Sequence, residues 1–271
     1  MHPTEPGAHT DPENLDALLR LCTDLAVNAA SRTALRRAKQ TNLETETKSS
    51  VSDLVTEFDR AAEDYIRDRL ANERPGDGVI GEEGDDVPHS SGLTWIVDPI
   101  DGTTNFVFGL PAWGCSVAVT RGSEILAGAI HIPTTNETYS AAIGRGATRN
   151  GTSIRTTNRS SLETSLVATG FSYDADHRAE QGVTVARLLP KVRDIRRSGS
   201  AAYDLCCVAA GTVDAYYEQH LSIWDIAAGA LIAREAGARV EFAPSTATAN
   251  LTIVASTPAI FELLRSVVSL P

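Results

Sequence analysis

The sequence predicts an α+β fold in its first half and an α/β fold in its second half. Up to about residue 158, two helical patterns precede short strands joined by tight turns, as in an antiparallel meander. Beyond that point strand and helix patterns alternate, which is typical of a sheet covered by helices. We therefore predict lobes at 13–158 and 159–271, with a disordered polar tail at 1–12 and a site between the lobes.

Two helices open the first lobe. Residues 11–13, Asp-Pro-Glu, are a typical helix start, and apolar residues then recur at helical spacing over 15–29. The polar segment 40–50 predicts a loop. A second helix is predicted from about residue 52 to residue 72, where a Pro-Gly pair follows.

Short strands complete the first lobe. They are predicted at 79–80 and 94–97, and an antiparallel meander is predicted over 115–154, with a strong hairpin signal at Asn150-Gly151. The second lobe is predicted to contain strands at 166–169, 213–217, 239–242 and 251–255, and helices at 176–190, 200–210, 224–236 and 258–268.

Composition and charge exclude several classes of protein. Of the 271 residues, 42% are hydrophobic and 22% are charged, so the chain can bury a core and is outside the disordered range. The 24 Lys and Arg face 35 Asp and Glu, for a net charge of −11. A nucleic-acid binder needs a basic surface, so direct binding of nucleic acid is not expected. An acidic protein that handles phosphate would need a metal ion to offset the repulsion.

No targeting or membrane segment is expected. Residues 1–10 lack the apolar core of a signal peptide, and no apolar run approaches the length of a membrane span. The four cysteines show no disulfide-framework spacing, which favours free, mostly buried thiols. We therefore predict a cytoplasmic protein.

The position of the acidic residues is the most informative feature of the sequence. Glu82 ends one predicted strand, Asp98 and Asp101 flank a proline after another, and Asp225 lies at a helix start. Acids at such positions can converge on one point, as hard divalent cations require. Because proline stiffens the turn, both of its carboxylates and the Ile100 carbonyl can face one side. Two metal ions bridged by a shared carboxylate suit an in-line attack on phosphorus.

The segment after this turn decides between a site and an ordinary bend. Taken alone, each acidic pair is also typical of a plain turn. Residues 102–106, however, offer backbone N–H groups and hydroxyls where a short helix could begin, which is an anion site. Together these features predict phosphoryl hydrolysis. Motifs for nucleotide kinases, dinucleotide binding and serine hydrolases are absent, and we interpret His220 and Cys206-Cys207 as structural.

Four motifs resemble those of the inositol monophosphatase family. The run Trp95-Ile-Val-Asp-Pro-Ile-Asp-Gly-Thr-Thr-Asn-Phe106 is similar to the first signature of that family, and residues 224–238, beginning Trp-Asp-Ile-Ala-Ala-Gly, are similar to the second. Residues 81–83 resemble its Gly-Glu-Glu motif, and residues 48–59 resemble its mobile metal loop. The resemblance extends from about residue 15 to residue 268.

The resemblance implies a layered αβαβα sandwich, usually a homodimer, in which Mg²⁺ supports hydrolysis of small phosphate monoesters and Li⁺ often inhibits. Two to three Mg²⁺ ions per site are implied. The implied metal ligands are Glu82, Asp98, the carbonyl of Ile100, Asp101 and Asp225.

The resemblance also implies roles around the metal. Gly102 and Thr103 resemble the phosphate cradle, and Thr103, backed by Asp59, would orient and deprotonate the attacking water. Glu82 and Lys48 are assigned to catalysis with them. The implied substrate-binding residues are Asp101, Gly102, Thr103, Gly199, Ser200, Ala201, Glu218 and Asp225.

Glu218 resembles the acid that binds a ring hydroxyl of the substrate, so the predicted reaction is hydrolysis of myo-inositol 1-phosphate. Three alternatives stay open. Histidinol phosphate is one, although such relatives often carry Lys where Thr104 stands. Fructose 1,6-bisphosphate or a 3′-phosphoadenosine nucleotide is another, because a fold does not determine its substrate. The third is a regulatory binding protein, since some bacterial relatives bind transcription machinery, although the complete acid set favours catalysis.

Overall fold

A computed structural model describes residues 12–40, 46–47, 54–55, 57–244 and 250–268. Apart from Pro12, the predicted tail lies outside the described residues, and so does most of the predicted loop at 40–50. None of the helices in the described ranges combines the length and the apolar character that a membrane span requires.

The first half of the chain contains three helices and nine strands within the described ranges. They are α1 (Pro12–Arg37), β1 (Glu46–Thr47), β2 (Leu54–Val55), α2 (Glu57–Glu73), β3 (Gly78–Gly81), β4 (Leu93–Asp101), α3 (Thr103–Phe108), β5 (Gly114–Arg121), β6 (Glu124–Ile132), β7 (Glu137–Ala142), β8 (Ala147–Arg149) and β9 (Thr152–Ile154). The second predicted helix starts later than expected, because 54–55 pair with 46–47 as a short ladder before α2 begins.

A seven-stranded sheet runs in the order β3-β4-β5-β6-β7-β8-β9. Only β3 and β4 pair in parallel, and the strands from β4 to β9 form the predicted antiparallel meander. Helices α1 and α2 pack on one face, where Leu18, Leu25 and Ile66 bury themselves against Trp95 and Val117. This apolar contact explains the helical spacing seen in the sequence.

Strand β4 differs from the prediction in a way that matters for the site. It does not end at residue 97 but continues to Asp101, and its register with β5 shifts between Asp98, opposite Ser116, and Asp101, opposite Gly114. One extra residue on β4 makes this a bulge, and a bulge accommodates a proline, which has no N–H for the ladder. The segment predicted as a turn is therefore a bulged strand end.

The second half contains four helices and five strands within the described ranges. They are β10 (Leu166–Thr169), α4 (Ala175–Leu188), β11 (Asp194–Arg196), α5 (Ala201–Ala209), β12 (Ala215–Leu221), α6 (Ile223–Glu235), β13 (Arg239–Pro244), β14 (Leu251–Ser256) and α7 (Phe261–Val268). The strands form a mixed sheet in the order β11-β10-β12-β14-β13. Strand β11 was not predicted, because its Asp-Ile-Arg sequence has no apolar run.

The helices and sheets stack in five layers, so the predicted αβαβα sandwich is confirmed. Helices α5 and α6 contact each other and lie between the two sheets, whereas α4 and α7 cover the outer face of the five-stranded sheet. The four cysteines are free and buried, and Cys206 and Cys207 pack in the core between the sheets, as predicted. The domain boundary near residue 158 stays a prediction.

Candidate active site

Three aspartates form a compact acidic cluster. One carboxylate oxygen from each of Asp98, Asp101 and Asp225 lies within 4.8 Å of the other two. Asp98 and Asp101 are buried on either side of the bulge in β4, and Asp225 is half-buried in the first turn of α6. The bulge and the helix start thus bring together acids that are more than a hundred residues apart in sequence.

Backbone amides hold two of these carboxylates in place. The Ile100 N–H donates to Asp98 Oδ1 at 3.0 Å, and the Ser222 N–H donates to Asp225 Oδ2 at 2.6 Å. Both amides lie two or three residues from the acid that they bind. Each acid is therefore oriented by its own local backbone before any cation arrives.

Asp101 is held instead by a distant loop. Its Oδ2 accepts hydrogen bonds from the Ser200 hydroxyl at 2.5 Å and from the Ala202 N–H at 2.6 Å. Ser200 is the N-cap of α5, and its hydroxyl also accepts from the Tyr203 N–H at 3.1 Å. The predicted substrate loop at 199–201 is thereby fastened to the acidic cluster.

The electrostatics of the cluster favour a cation. Burial raises the pKa of Asp98 well above its usual range, and the charges of Glu82, Asp101 and Asp225 raise it further. Burial and the charges of Asp101, Glu82 and Glu218 raise the pKa of Asp225. Burial raises the pKa of Asp101 to about 6. Like charges in a buried site repel unless a positive charge offsets them. Hard carboxylate oxygens in this number fit Mg²⁺, which prefers oxygen ligands.

Ile100 and Glu82 complete the predicted ligand set. The Ile100 side chain packs in a small apolar cluster with Phe58, Phe106 and Trp113, while its carbonyl oxygen lies 3.1 Å from the Thr103 hydroxyl. Glu82 is half-buried just after β3, and its charge raises the pKa of all three aspartates. The structure therefore brings the five predicted ligand residues to one region.

Thr103 and Asp59 lie behind the cluster. The Thr103 hydroxyl is 3.3 Å from Oδ1 of Asp59, a fully buried residue of α2. Gly102, just before α3, has φ +92°, and a Cβ at this position would lie 2.9 Å from the Ala112 carbonyl oxygen. Only glycine accepts both the left-handed backbone and the close approach, so this residue sets the entry into α3.

A cavity of about 520 Å³ opens beside the cluster. The predicted site residues that line it are Glu82, Asp101, Gly102, Gly199, Ser200, Ala201, Glu218 and Asp225. Asp59, Asp98, Ile100 and Thr103 are not among its lining residues. Lys48 lies outside the described residues, as does the adjoining segment 49–53.

Glu218 does not end a strand, as the apolar run at 213–217 had suggested. Pairing with β14 carries β12 on to Leu221, with a register shift between Glu218 and Leu221. The Tyr216 hydroxyl donates to Glu218 Oε2 at 2.7 Å. Burial raises the pKa of Glu218 to about 7, so this carboxyl titrates near neutrality.

Sequence reasoning missed the role of Asn105. Its Nδ2 donates to the Ala112 carbonyl at 2.5 Å and to the Ser198 carbonyl at 2.8 Å, which ties α3 to the loop before α5. A buried amide with two N–H groups is suited to bridging two carbonyls. The only available signal was a polar residue inside a motif, and that signal does not identify the partner.

His177 and His220 both form part of the cavity wall, and the structural role predicted for His220 stays a prediction. The rings of His177 and His220 stack in parallel, with centroids 3.8 Å apart and an interplanar angle of 5°. His220 has φ +67°, in the left-handed region, and its Nδ1 is buried with no hydrogen-bond partner among the described residues. Burial and the neighbouring His177 lower the pKa of His220.

Comparisons with known proteins identify the family. The sequence profile described as "Inositol monophosphatase family" matches residues 14–268. The chain is 44% identical to the inositol-1-monophosphatase of Mycobacterium bovis over 274 residues, which cover 94% of each protein. It is 36% identical to a Pasteurella multocida protein named Nus factor SuhB, with 83% of this chain and 85% of that protein covered.

A solved structure of a relative has the same fold as this chain. Mycobacterium tuberculosis SuhB superposes with a TM-score of 0.81 at 42% identity, over 93% of this chain and 95% of that chain. The family profile spans both sheets and every residue of the acidic cluster. The chain therefore belongs to the inositol monophosphatase family and is a phosphoric monoester hydrolase of that type.

Proposed function

We propose that this phosphatase hydrolyses a small polyol monophosphate, myo-inositol 1-phosphate in particular, with Mg²⁺ as cofactor. The observation that carries the proposal is the cluster of three aspartates within 4.8 Å at the edge of a cavity that also contains Glu218. The name of the Mycobacterium bovis relative supports the choice of substrate. A cavity of about 520 Å³ has room for a phosphate and a six-carbon ring.

Glu82, Asp98, the Ile100 carbonyl, Asp101 and Asp225 would hold two to three Mg²⁺ ions. When bound, Mg²⁺ supplies charge that offsets the phosphate and lowers the pKa of a water molecule. The chain adds a proton path: Thr103 Oγ1 would accept a proton from the attacking water as its own proton moves toward Asp59 Oδ1, 3.3 Å away. The N–H groups of Gly102 and Thr103 would bind phosphate oxygens.

Glu218 would recognise the leaving group. Because Tyr216 donates to Oε2, the other oxygen of Glu218 is the one suited to accept a hydrogen bond from a polyol hydroxyl. Gly199, Ser200 and Ala201 line the same cavity and would contact the substrate beside Asp101. A carboxylate in this place disfavours a leaving group that carries a second phosphate, since like charges repel.

A substrate panel tests the proposal. Phosphate release is measured with Mg²⁺ on myo-inositol 1-phosphate, histidinol phosphate, fructose 1,6-bisphosphate, 3′-phosphoadenosine 5′-phosphate and glycerol 2-phosphate. We expect the highest kcat/KM on the inositol ester, loss of activity after exhaustive chelation, and inhibition by Li⁺ and by Ca²⁺, which takes a looser ligand geometry than Mg²⁺. Full activity after chelation would refute the metal assignment, and a clear preference for another ester would replace the substrate.

A regulatory role is the second candidate, supported by the relative named Nus factor SuhB. We propose that such a role would act through protein contacts and not through nucleic acid, because the net charge is −11. We also propose that the protein forms a homodimer, because the apolar side chains of Phe108, at the end of α3, and of Leu110, just after it, are exposed. Light scattering tests the dimer, and a gel-shift assay with RNA tests the expected lack of direct binding.

A further inference from the structure

Helix α2 carries two buried carboxylates, Asp59 and Glu63, and the proposed reaction uses only Asp59. Asp59 and Glu63 lie one turn apart on the same face of the helix, and their exposed fractions are 0% and 1%. Asp59 meets Thr103, whereas Glu63 reaches the loop that contains Glu82. A fully buried acid is costly unless it is paired and hydrogen-bonded, so its partners indicate what it does.

Glu63 binds the backbone immediately after Glu82. Its Oε2 accepts the Glu83 N–H at 2.9 Å, and its Oε1 accepts the Gly84 N–H at 2.8 Å. On the other side of Glu82, a Cβ on Gly81 would lie 2.5 to 2.7 Å from the Glu63 carboxyl atoms. Because Gly81 has no side chain, the Glu63 carboxylate can lie against the end of β3 and accept hydrogen bonds from the two N–H groups beyond Glu82.

Arg67, one helical turn after Glu63, binds the same loop. Its Nε donates to Glu63 Oε1 at 2.7 Å, its Nη2 donates to the Gly84 carbonyl at 3.1 Å, and its Nη1 donates to the Asp85 carbonyl at 2.9 Å. Glu63 binds two N–H groups of the loop and Arg67 binds two of its carbonyls. One ion pair on α2 thus restrains the backbone of residues 83–85 at four points.

We propose that Glu63 is a positioning residue for the metal ligand Glu82, with Arg67 as its supporting partner. The inference rests on the proposed function only in taking Glu82 as a ligand of Mg²⁺. A ligand whose backbone is already fixed loses less conformational freedom when the ion binds. Groups that orient metal ligands typically account for about 10- to 100-fold in metal affinity.

The test is metal binding to the substrate-free protein. Glu63→Gln keeps the size of the side chain but offers a single carbonyl oxygen in place of two acceptors. We expect its Kd for Mg²⁺ by calorimetry, and for Mn²⁺ by electron paramagnetic resonance, to rise by about 10- to 100-fold. The kcat at saturating Mg²⁺ should stay within a few-fold of wild type. Glu73→Gln is the matched control, because it breaks the exposed Arg69–Glu73 pair on the same helix.

The outcomes separate a positioning role from a structural one. A Glu63→Gln protein that melts earlier but binds Mn²⁺ with wild-type affinity would overturn the inference, as would equal losses of affinity in Glu63→Gln and Glu73→Gln. If Glu63→Gln does not fold, Arg67→Met carries the test, since it removes the ion pair and two carbonyl contacts while leaving the Glu63 amide bonds. In that variant we expect a smaller rise in the metal Kd, and an unchanged Kd would overturn the inference.

Failure of the proposed function gives a different result. A wild-type protein that binds Mg²⁺ but hydrolyses none of the panel would refute the proposed function and leave the positioning role testable by Kd alone. A wild-type protein that binds neither Mg²⁺ nor Mn²⁺ would overturn both.

Discussion

At the scale of single residues, the acidic cluster brings together side chains that repel one another in the absence of a cation. Asp98, Asp101 and Asp225 all have a raised pKa, mainly through burial, and the charge of the neighbouring Glu82 raises all three further. Such clustering of perturbed groups is typical of functional sites, where the arrangement serves the chemistry and not the stability. Substitutions at these positions should therefore move activity and stability in opposite directions.

Asp98→Asn should abolish most turnover while stabilising the metal-free protein. The asparagine carbonyl can still accept the Ile100 N–H, but one buried negative charge is gone. We expect kcat to fall by at least about 100-fold and the metal-free Tm to rise by about 2–4 °C for each kcal/mol gained. Asp225→Asn should behave alike. Near-normal kcat at millimolar Mg²⁺ would remove that residue from the ligand set.

Thr103→Ala should lower kcat by about 10²–10⁴-fold, the range for a positioned proton-transfer group. Thr103→Ser should restore most of the rate, because it keeps the hydroxyl beside Asp59. Thr104→Ala, at the next position of α3, is the control. If Thr103→Ala instead lowers the stability by about 1 kcal/mol and leaves the rate unchanged, the hydroxyl contributes only structural hydrogen bonds.

Glu218→Gln and Glu218→Ala should weaken hydrolysis of inositol 1-phosphate mainly through KM, by about 1–3 kcal/mol in the alanine variant. A substrate without ring hydroxyls, p-nitrophenyl phosphate, should be little affected. Tyr216→Phe provides a milder control, since it removes only the hydrogen bond to Oε2. Equal losses on both substrates would indicate that Glu218 supports the acidic cluster and not the leaving group.

At the scale of elements, irregularities in two strands shape the site. The bulge in β4 allows Asp98 and Asp101 to face one point, and the register shift in β12 places His220 in the left-handed region beside Glu218. Bulges are common next to active sites because they redirect side chains. A residue other than glycine at positive φ carries a conformational cost that a functional role can explain.

His220→Gly and His220→Ala should separate that backbone cost from the ring stack. Both remove the contact with His177, but only glycine relieves the backbone at φ +67°. We expect the glycine variant to be more stable than the alanine variant by about 1 kcal/mol, measured by denaturant unfolding. Both should raise KM for the inositol ester if the stack contacts the leaving group. An unchanged KM in both would leave the histidines with a purely structural role.

At the scale of the whole molecule, one site is assembled from both sheets and from the helices between them. Residues from β4, β12 and α6 meet around the cavity with residues from the loop before α5 and with Gly102, which precedes α3. The acidic cluster therefore links the stability of the entire fold to pH and to cations. Anything that binds the folded state alone stabilises it by mass action, so Mg²⁺ should raise the Tm in a concentration-dependent manner.

The metal-free protein should lose stability as the pH rises from about 4 to beyond 6. The folded-state pKa values of Asp98, Asp101 and Asp225 lie above the ordinary value of 3.8, and that of Asp101 is about 6. The folded protein then holds more protons than the unfolded chain, so the free energy of unfolding falls through this window. Melting curves with chelator should show the fall, and saturating Mg²⁺ should flatten it. A metal-free Tm that is flat or rises over this range would contradict the raised pKa values.

The sequence alone determined the family, the change from an antiparallel meander to alternating strands and helices, and the three aspartates that form the acidic cluster. These features depend on short-range patterns: helical spacing in α1 and α2, turn residues in the meander, and motifs of up to fifteen residues around Asp98 and Asp225. Such patterns reflect local backbone preferences and which face of an element is buried, and these preferences are encoded over a few neighbouring residues.

Tertiary structure alone decided how the distant parts of the site are joined to one another. Pairing across the sheets carried β4 past its proline and β12 past its apolar run, and made a strand of the charged segment at 194–196. The Asn105 contact with the loop before α5 spans 93 residues, and Glu63 holds a loop twenty residues away. The residues near Asn105 and Glu63 in the sequence do not predict these partners. A buried polar group forms its hydrogen bond with whichever donor or acceptor the fold brings within about 3 Å.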